Sequence, residues 1–410
     1  MTTPEVSSER ASVEIRTEVV NEGVASVSCT LVSSVTYADE IVFETKQQLS
    51  IAPGESLELV DCGLVDSPQL WHPDTPCLYQ LRTQIYRLDV PVDEYDTSFG
   101  IRWFRFDAHE GFFLNGEHFD IHGANVHQDH AGWSDAVTRA GMARDIKLMK
   151  DCGFQFIRGS HYPHHTWFAD ECDKQGMLFW SELCYWGTGG PKVEGYWTSS
   201  AYPVRDEDKE AFEASCLLAL QEMIRTNRNH PSIIVWSMSN EPFFSDLEVM
   251  NEARTLIVRL VEESHRLDPS RPAAVGGAQR MGFDALGDLA GYNGDGAALY
   301  VDPDSRTLYP STAASSPTVR VNMRRTTGTE WSTIRAGDQE RRCGAEFITE
   351  ASFPIWAIWG SSIITGFAQC LVQVQVRIAW HRTADSCARR RGSCAEIDDG
   401  SYRHPDGWDG

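Results

Sequence analysis

The feature that most constrains this chain is a short apolar run that ends in a carboxylate. Residues 233–236 read Ile-Ile-Val-Trp, and Asn240 and Glu241 follow a few positions later. Such a run has the length and β-branched content of a strand covered on both faces. Catalytic groups of α/β barrels lie at the carboxyl ends of strands, so Glu241 is placed for acid/base chemistry. A Glu that caps the next helix or pairs with an Arg is the structural alternative.

Three motifs occur in a fixed order along the chain. Residues 122–130 read His-Gly-Ala-Asn-Val-His-Gln-Asp-His, and residues 156–163 read Phe-Ile-Arg-Gly-Ser-His-Tyr-Pro. Residues 230–241 read His-Pro-Ser-Ile-Ile-Val-Trp-Ser-Met-Ser-Asn-Glu. Over about residues 60 to 303 the chain resembles glycoside hydrolase family 2, which contains β-galactosidases, β-glucuronidases and β-mannosidases. The resemblance implies hydrolysis of β-glycosides, with β-galactosides foremost, by a retaining double-displacement mechanism in which Glu241 is the acid/base.

The order of secondary-structure signals predicts a multidomain β plus α/β protein. Residues 1–107 contain short alternating strands between turns, as in an immunoglobulin-like β-sandwich. Residues 108–303 alternate apolar strands with helical stretches, which predicts about six βα units of an incomplete (β/α)₈ TIM barrel. Residues 304–410 are expected to form an atypical, poorly ordered tail. The family implies a jelly-roll domain before the sandwich, so we expect a chain truncated at its N-terminus.

Charge and cysteine content restrict the partners of the chain. Its 36 basic and 59 acidic residues give a net charge of −23, which argues against nucleic acid or an anionic membrane. A neutral carbohydrate substrate is compatible with that charge, and so is a homo-oligomer. Neither a long apolar run nor a leader pattern is present, so a cytoplasmic location is expected. The 11 cysteines show no metal-ligand spacing, and neither a metal nor a cofactor is predicted.

The family resemblance places five further residues in the substrate pocket. Arg158 would hold a nearby carboxylate ionised through a bidentate bond, and His161 would bind sugar hydroxyls. His127 follows the first barrel strand, and Asn240 is placed to donate to a sugar 2-hydroxyl. Tyr292, in a segment that keeps the family character, completes the set. For an isolated Arg–His pair, the alternative is a salt bridge beside a core histidine.

Two sets of residues have a second interpretation. His127 and His130 are three positions apart, as metal ligands can be, but they lack a third partner at convincing spacing. Trp180, Trp186 and Trp197 are platforms for a sugar ring in one interpretation and barrel core in the other. The position of Trp180 inside a strand favours the core.

The sequence lacks the second carboxylate that a retaining mechanism requires. The nucleophile lies about 5 to 5.5 Å from the acid/base in such enzymes. The family carries it at the end of the seventh strand, in a context like Ser-Glu-Tyr-Gly, and the family pattern here ends at Pro303. Glu346 and Glu350 end a strand-like stretch that lies too far along the chain for the seventh strand.

A change of reading frame is consistent with this break. Codons chosen for Gly-Phe-Pro-Asn-Ile-Val-Ser-Glu-Tyr, GGA TTC CCG AAC ATT GTA TCC GAG TAC, encode Asp-Ser-Arg-Thr-Leu-Tyr-Pro-Ser-Thr after loss of one G. That string is residues 304–312, and the nucleophile would have been lost between Pro310 and Ser311. We therefore expect the chain to lack its nucleophile. The competing hypothesis is a catalytically inactive carbohydrate-binding pseudoenzyme or a defective gene product.

Overall fold

The computed structural model describes residues 1–107, 110–130, 132–186 and 200–293, together with the backbone of residues 319–326 and 329–334. An antiparallel β-sandwich comes first and a barrel of mostly parallel strands follows. The predicted order of a sandwich and an incomplete TIM barrel is therefore confirmed.

The sandwich consists of two sheets of antiparallel strands. Its strands are β1 (Arg10–Val20), β2 (Val27–Tyr37), β3 (Glu40–Ile51), β4 (Ser56–Asp66), β5 (Tyr79–Arg87) and β6 (Val90–Phe99). One sheet pairs β1 with β4, and the other has the strand order β3-β2-β5-β6. Along β1, Ala11, Val13 and Ile15 are buried at every second position, because neighbouring side chains on a strand face opposite sides.

A small three-stranded sheet covers the amino-terminal end of the barrel. Phe112 of this sheet packs with Trp71 and with residues of the barrel interior in one apolar cluster. Arg102 donates to the carbonyl oxygens of Pro231 and Ile233, both at 2.8 Å, so the connection between the domains is fixed to the barrel. The strands of the sheet are β7 (Phe104–Asp107), β8 (Gly111–Leu114) and β9 (Glu117–His118).

Six consecutive parallel strands form most of the barrel, and helices follow the first four. The strands are β10 (Ile121–His127), β11 (Phe156–Ser160), β12 (Leu178–Glu182), β13 (Ile233–Asn240), β14 (Ala273–Gly276) and β15 (Leu289–Tyr292). The α-helices are α1 (Arg139–Asp151), α2 (Thr166–Gln175), α3 (Asp206–Asn227) and α4 (Met250–Leu267), and short 3₁₀ helices span Pro242–Phe244, Leu247–Val249 and Phe283–Ala285. No helix within the described ranges is long and apolar enough to cross a membrane.

Two further strands close the ring of backbone hydrogen bonds. β16 (Val319–Thr326) runs parallel to β15, and β17 (Thr329–Ile334) is antiparallel to both β16 and β10. A hairpin therefore stands where a complete (β/α)₈ barrel has two more βα units. Both strands belong to the predicted atypical tail. The rest of residues 304–410, including the expected site of nucleophile loss, lies outside the described residues.

The barrel interior has an apolar floor below a polar layer. The floor is formed by Ile121, Phe156, Leu178, Trp180, Ile234, Val235, Ala274 and Leu289. Because inward side chains recur at every second position, the next inward residues lie one layer closer to the carboxyl ends. Arg158 follows Phe156, and Glu182 follows Trp180 in this way. Charged groups therefore meet inside the barrel above an apolar base.

Trp71→Ala should destabilise the fold by about 3–5 kcal/mol, because it leaves a cavity beside the floor of the barrel. Trp71 is fully buried, and its indole N–H donates to the carbonyl oxygen of Asp173 at 2.9 Å. Trp133→Ala is the matched control, since Trp133 is 50% exposed, and it should cost about 1 kcal/mol or less. Urea denaturation measures both changes. Equal losses would show that the packing of Trp71 beside the barrel floor does not stabilise the fold.

Candidate active site

A buried ion pair between Arg158 and Glu182 occupies the centre of the polar layer. Nε and Nη2 of Arg158 donate to the two carboxylate oxygens of Glu182, each at 2.9 Å. Neither side chain has any exposed surface. Nδ1 of His161 lies 2.7 Å from Oε1 of the same carboxylate. The bidentate bond expected of Arg158 is thus present, and Glu182 is its partner.

The Glu182 carboxylate is saturated with hydrogen bonds. Besides Arg158 and His161, the indole N–H of Trp180 donates to Oε2 at 3.1 Å and the hydroxyl of Ser237 donates to Oε2 at 3.0 Å. Burial alone would raise the pKa of Glu182, but Arg158 and His161 outweigh burial and hold this pKa below its usual range. Glu182 is therefore ionised at neutral pH, and both of its carboxylate oxygens accept hydrogen bonds from neighbouring side chains.

Two asparagine amides connect the ion pair to Glu241. Arg158 donates from Nη1 to Oδ1 of Asn293 at 2.9 Å and from Nη2 to Oδ1 of Asn240 at 2.7 Å. Nδ2 of Asn293 in turn donates to Oε1 of Glu241 at 2.9 Å and to Oδ1 of Asn240 at 2.7 Å. Arg158 and Glu241 thus bind opposite ends of one amide group. The structure brings Arg158, Asn240 and Glu241 into a single cluster.

Glu241 leaves β13 with a left-handed backbone conformation, at φ 51°. Its N–H donates to the carbonyl oxygen of Gly276 at 2.9 Å. A Cβ on Gly277 would lie 2.4 Å from Cγ of Glu241, and a Cβ on Gly276 would lie 2.7 Å from Oε2 of Glu182. Two consecutive glycines at the end of β14 therefore allow both carboxylates to approach the same backbone.

His127, His161 and Trp186 form an aromatic wall beside this cluster. The ring of His161 lies 5.1 Å from that of His127 and 5.1 Å from that of Trp186, centroid to centroid. Trp186 is 39% exposed. Burial, together with the nearby charges of His161, His164 and Arg158, lowers the pKa of His127 to about 3, so this imidazole is neutral at neutral pH. The wall presents apolar ring faces and a neutral imidazole.

Tyr292 does not join this cluster. Its hydroxyl donates to Oδ2 of Asp284 at 2.9 Å, and its ring packs in the apolar cluster between the barrel strands and the helices. Neighbouring residues on a strand face opposite sides, so Asn293 faces Glu241 where Tyr292 was predicted to act. Asn293, which was not predicted, therefore makes the contact with Glu241, and the contact of Tyr292 with a substrate stays a prediction.

His130 has different partners from His127. It stacks on Trp133, with ring centroids 4.9 Å apart, and its Nε2 lies 2.7 Å from the guanidinium of Arg144. Within the described ranges, no group of three or more His, Cys, Asp or Glu side chains is arranged to hold a metal ion. Trp180 belongs to the barrel floor, as its position in a strand indicated.

Glu182 and Asn293 are site residues that the sequence motifs did not predict. Glu182 lies two positions after the floor residue Trp180, and Asn293 lies four positions after the floor residue Leu289. Both lie at even spacing from a floor residue, so they face inward once the structure shows which residues form the floor. Trp197, Glu346 and Glu350 lie outside the described residues.

Comparison with known protein families assigns both parts of the chain. Residues 1–102 match the profile of glycosyl hydrolases family 2, and residues 108–289 match the profile of the TIM barrel domain of the same family. The chain belongs to glycoside hydrolase family 2.

Relatives of this family 2 chain are named for two sugars. A putative beta-glucuronidase of Formosa agariphila is 33% identical over 215 residues, which are 52% of this chain and 24% of the relative. A beta-galactosidase of Thermoanaerobacter pseudethanolicus is 30% identical over 295 residues, 72% of this chain and 34% of the relative. The crystal structure of Bacteroides uniformis beta-glucuronidase superposes with a TM-score of 0.63 at 30% identity, covering 71% of this chain and 35% of the other. The chain thus spans about a quarter to a third of the length of these curated relatives.

Glu182→Gln should lower the free energy of unfolding by about 3–5 kcal/mol at neutral pH, because it leaves Arg158 buried without its counter-charge. Ser237→Ala is the control, since it removes one neutral donor to the same carboxylate and should cost about 1–2 kcal/mol. Urea denaturation followed by tryptophan fluorescence measures both losses.

The stability difference between the unmodified chain and Glu182→Gln should shrink in acid. The folded state lowers the pKa of Glu182 below its ordinary value of 4.5. The stability contributed by its ionised form is therefore complete well above about pH 4.5 and is lost as the pH falls through the folded pKa. A difference that grows as the pH falls below 4.5 would contradict this assignment.

Proposed function

We propose that this chain carries the acid/base half of a retaining β-glycosidase, with β-galactosides as the substrates. The observation that carries the proposal is the position of Glu241, held by Asn293 at the carboxyl end of β13 and above the polar layer of the barrel. Carboxylates at this end of a barrel are placed for catalysis. Glu241 would protonate the glycosidic oxygen in the first step and take a proton from water in the second.

Asn240 supports the same proposal through the orientation of its amide. Its Oδ1 accepts hydrogen bonds from Arg158 and Asn293, at 2.7 Å each. Because the oxygen is fixed by these donors, the NH₂ group of Asn240 is directed elsewhere as a hydrogen-bond donor. A sugar 2-hydroxyl is the acceptor expected beside the acid/base, and this contact strengthens in an oxocarbenium-like transition state.

We propose further that the chain lacks its nucleophile. The segment in which the family carries that carboxylate corresponds to residues 304–312, where the sequence has no Glu. Glu182 is a poor substitute, because it has no exposed surface and accepts hydrogen bonds from Arg158, His161, Trp180 and Ser237. A nucleophile needs a carboxylate oxygen directed at the anomeric carbon.

Among the residues that the structure describes, the charges around Glu241 suit a neutral sugar better than a uronic acid. Recognition of a uronate carboxylate calls for a cation that can reach it. Arg158 is fully buried and already binds Glu182, Asn240 and Asn293, and His127 is neutral at neutral pH. These features favour a β-galactoside over a β-glucuronide.

Glu241→Gln should separate substrates by their leaving groups. In a counterpart of this chain with the reading frame restored after Pro303, kcat/KM for alkyl β-galactosides should fall by about 10²–10⁴-fold, because their departure requires protonation. Dinitrophenyl β-galactoside should lose much less in the glycosylation step. Glu248→Gln, at an exposed glutamate of the 3₁₀ helix Leu247–Val249, is the matched control and should change neither value.

Equal small losses on both classes of substrate would remove Glu241 from the acid/base role.

The same counterpart should be assayed with aryl β-galactoside, β-glucuronide and β-mannoside at equal leaving-group ability. We expect the highest kcat/KM for the galactoside, and a preference for the glucuronide would overturn the choice of sugar.

A further inference from the structure

Asn293 lies between the buried ion pair and the half-buried carboxylate of Glu241. It is 3% exposed and follows the last residue of β15. Its amide oxygen accepts from Arg158, and its amide nitrogen donates to Glu241 and Asn240. Its backbone N–H donates to Oε1 of Gln279 at 3.2 Å. The side chain therefore spans the polar layer, and the backbone of Asn293 is hydrogen-bonded to the loop that precedes β15.

The amide of Asn293 has one favourable orientation. Arg158 offers only donors, so Oδ1 must face the guanidinium. An ionised Glu241 and Oδ1 of Asn240 are acceptors, so Nδ2 must face them. Rotation of the amide by half a turn would place donors against donors and acceptors against acceptors. The neighbours on both sides thus fix the direction of the hydrogen bonds.

We propose that Asn293 is a positioning residue that couples the Arg158–Glu182 ion pair to the carboxylate of Glu241. This inference rests on the proposed function of Glu241 as the acid/base. An amide whose oxygen binds a cation is polarised, and its N–H becomes a stronger donor. Asn293 therefore stabilises the ionised form of Glu241 and holds one carboxylate oxygen in place.

The orientation of the Arg158–Glu182 pair relative to Asn293 supports this coupling. Glu182 and His161 lie along the edge of Arg158 formed by Nε and Nη2, whereas Asn293 binds Nη1. Asn293 thus contacts the positive end of the pair, and the negative charge of Glu182 lies on the other side of the guanidinium. The electrostatic effect passed toward Glu241 is that of a cation.

The hydrogen bond between Asn293 and Glu241 leaves no room for a side chain at position 277. A Cβ on Gly277 would lie 2.9 Å from Nδ2 of Asn293 and 2.4 Å from Cγ of Glu241. Any larger residue at position 277 would push the two side chains out of their hydrogen bond. Gly277, which follows β14, and Asn293, which follows β15, therefore both adjoin the side chain of Glu241.

The test is site-resolved labelling of the full 410-residue chain. A water-soluble carbodiimide with an amine modifies protonated carboxyl groups, and tryptic cleavage places Glu241 in the peptide 229–254. Asp246 and Glu248 are exposed residues of the same peptide and serve as internal references. Mass spectrometry then gives the pH of half-maximal modification for each carboxyl group separately.

Loss of the amide donor should move the modification profile of Glu241 toward higher pH. Asn293→Ser should move its midpoint by about one pH unit, and Asn293→Asp by more, because the new carboxylate also repels Glu241. The midpoints of Asp246 and Glu248 should stay in place. Asn227→Asp, at a buried asparagine of α3 whose amide donates to the carbonyl oxygen of Met223, is the matched control and should leave Glu241 unaffected.

An unchanged Glu241 midpoint in both folded Asn293 variants would overturn the proposal. Should these variants fail to fold, a second measurement keeps Asn293 intact. In a chain labelled with [¹⁵N]asparagine, one side-chain amide should follow the ionisation of Glu241, and Glu241→Gln should abolish that pH dependence. No difference between the two chains in any asparagine amide would also overturn the coupling.

Neither measurement requires turnover, so its outcome is separate from that of the proposed function. An Asn293 effect on labelling without a leaving-group effect of Glu241→Gln would retain the coupling and remove the acid/base role. The reverse result would retain the acid/base and remove the role of Asn293.

Discussion

The Arg158–Glu182 ion pair is the interaction on which the rest of this site depends. Two opposite charges without exposed surface lose their hydration, at a cost of several kcal/mol per ion, and the pair persists only with good geometry and further hydrogen bonds. The bidentate contact supplies the geometry, and His161, Trp180, Ser237 and the two asparagines supply the further bonds. The ion pair thereby restricts the residue types that fit at the inward positions above the barrel floor. The side chains there donate or accept hydrogen bonds, and Gly276 has no side chain.

The sequence predicted the parts of this arrangement that local patterns encode. The apolar run before Asn240, the glutamate after it and the alternation of strands and helices were sufficient for the barrel and for the position of Glu241. Glu182 was not foreseen, because its importance comes from Arg158 on the neighbouring strand, and a single sequence does not show which strands pair. The choice of Tyr292 over Asn293 has a different cause. A shift of one residue along a strand exchanges its two faces, and no alternation in the short β15 fixed which residue points inward.

Stability and chemistry are separable in this chain. The six parallel strands carry the floor, the ion pair and Glu241, and all of these groups belong to residues 121–293. The carboxylate that retention requires belongs to a later part of the chain in this family. A catalytic unit loses most of its rate when one essential member is absent. The described contacts of the ion pair with Asn293 and Asn240 lie within the six parallel strands and the residue that follows them, and they do not depend on the proposed loss of the nucleophile. A formed acid/base pocket without turnover is therefore physically consistent.

The central claim, that the acid/base half is present and the nucleophile is absent, is tested most directly by covalent trapping. The purified 410-residue chain and its frame-restored counterpart are each incubated with a mechanism-based galactoside inactivator, and intact mass is measured, followed by peptide mapping. We expect one adduct per frame-restored chain, on the restored seventh-strand glutamate, and no adduct on the 410-residue chain. A stoichiometric adduct on Glu346, Glu350 or Glu182 of the 410-residue chain would contradict this claim.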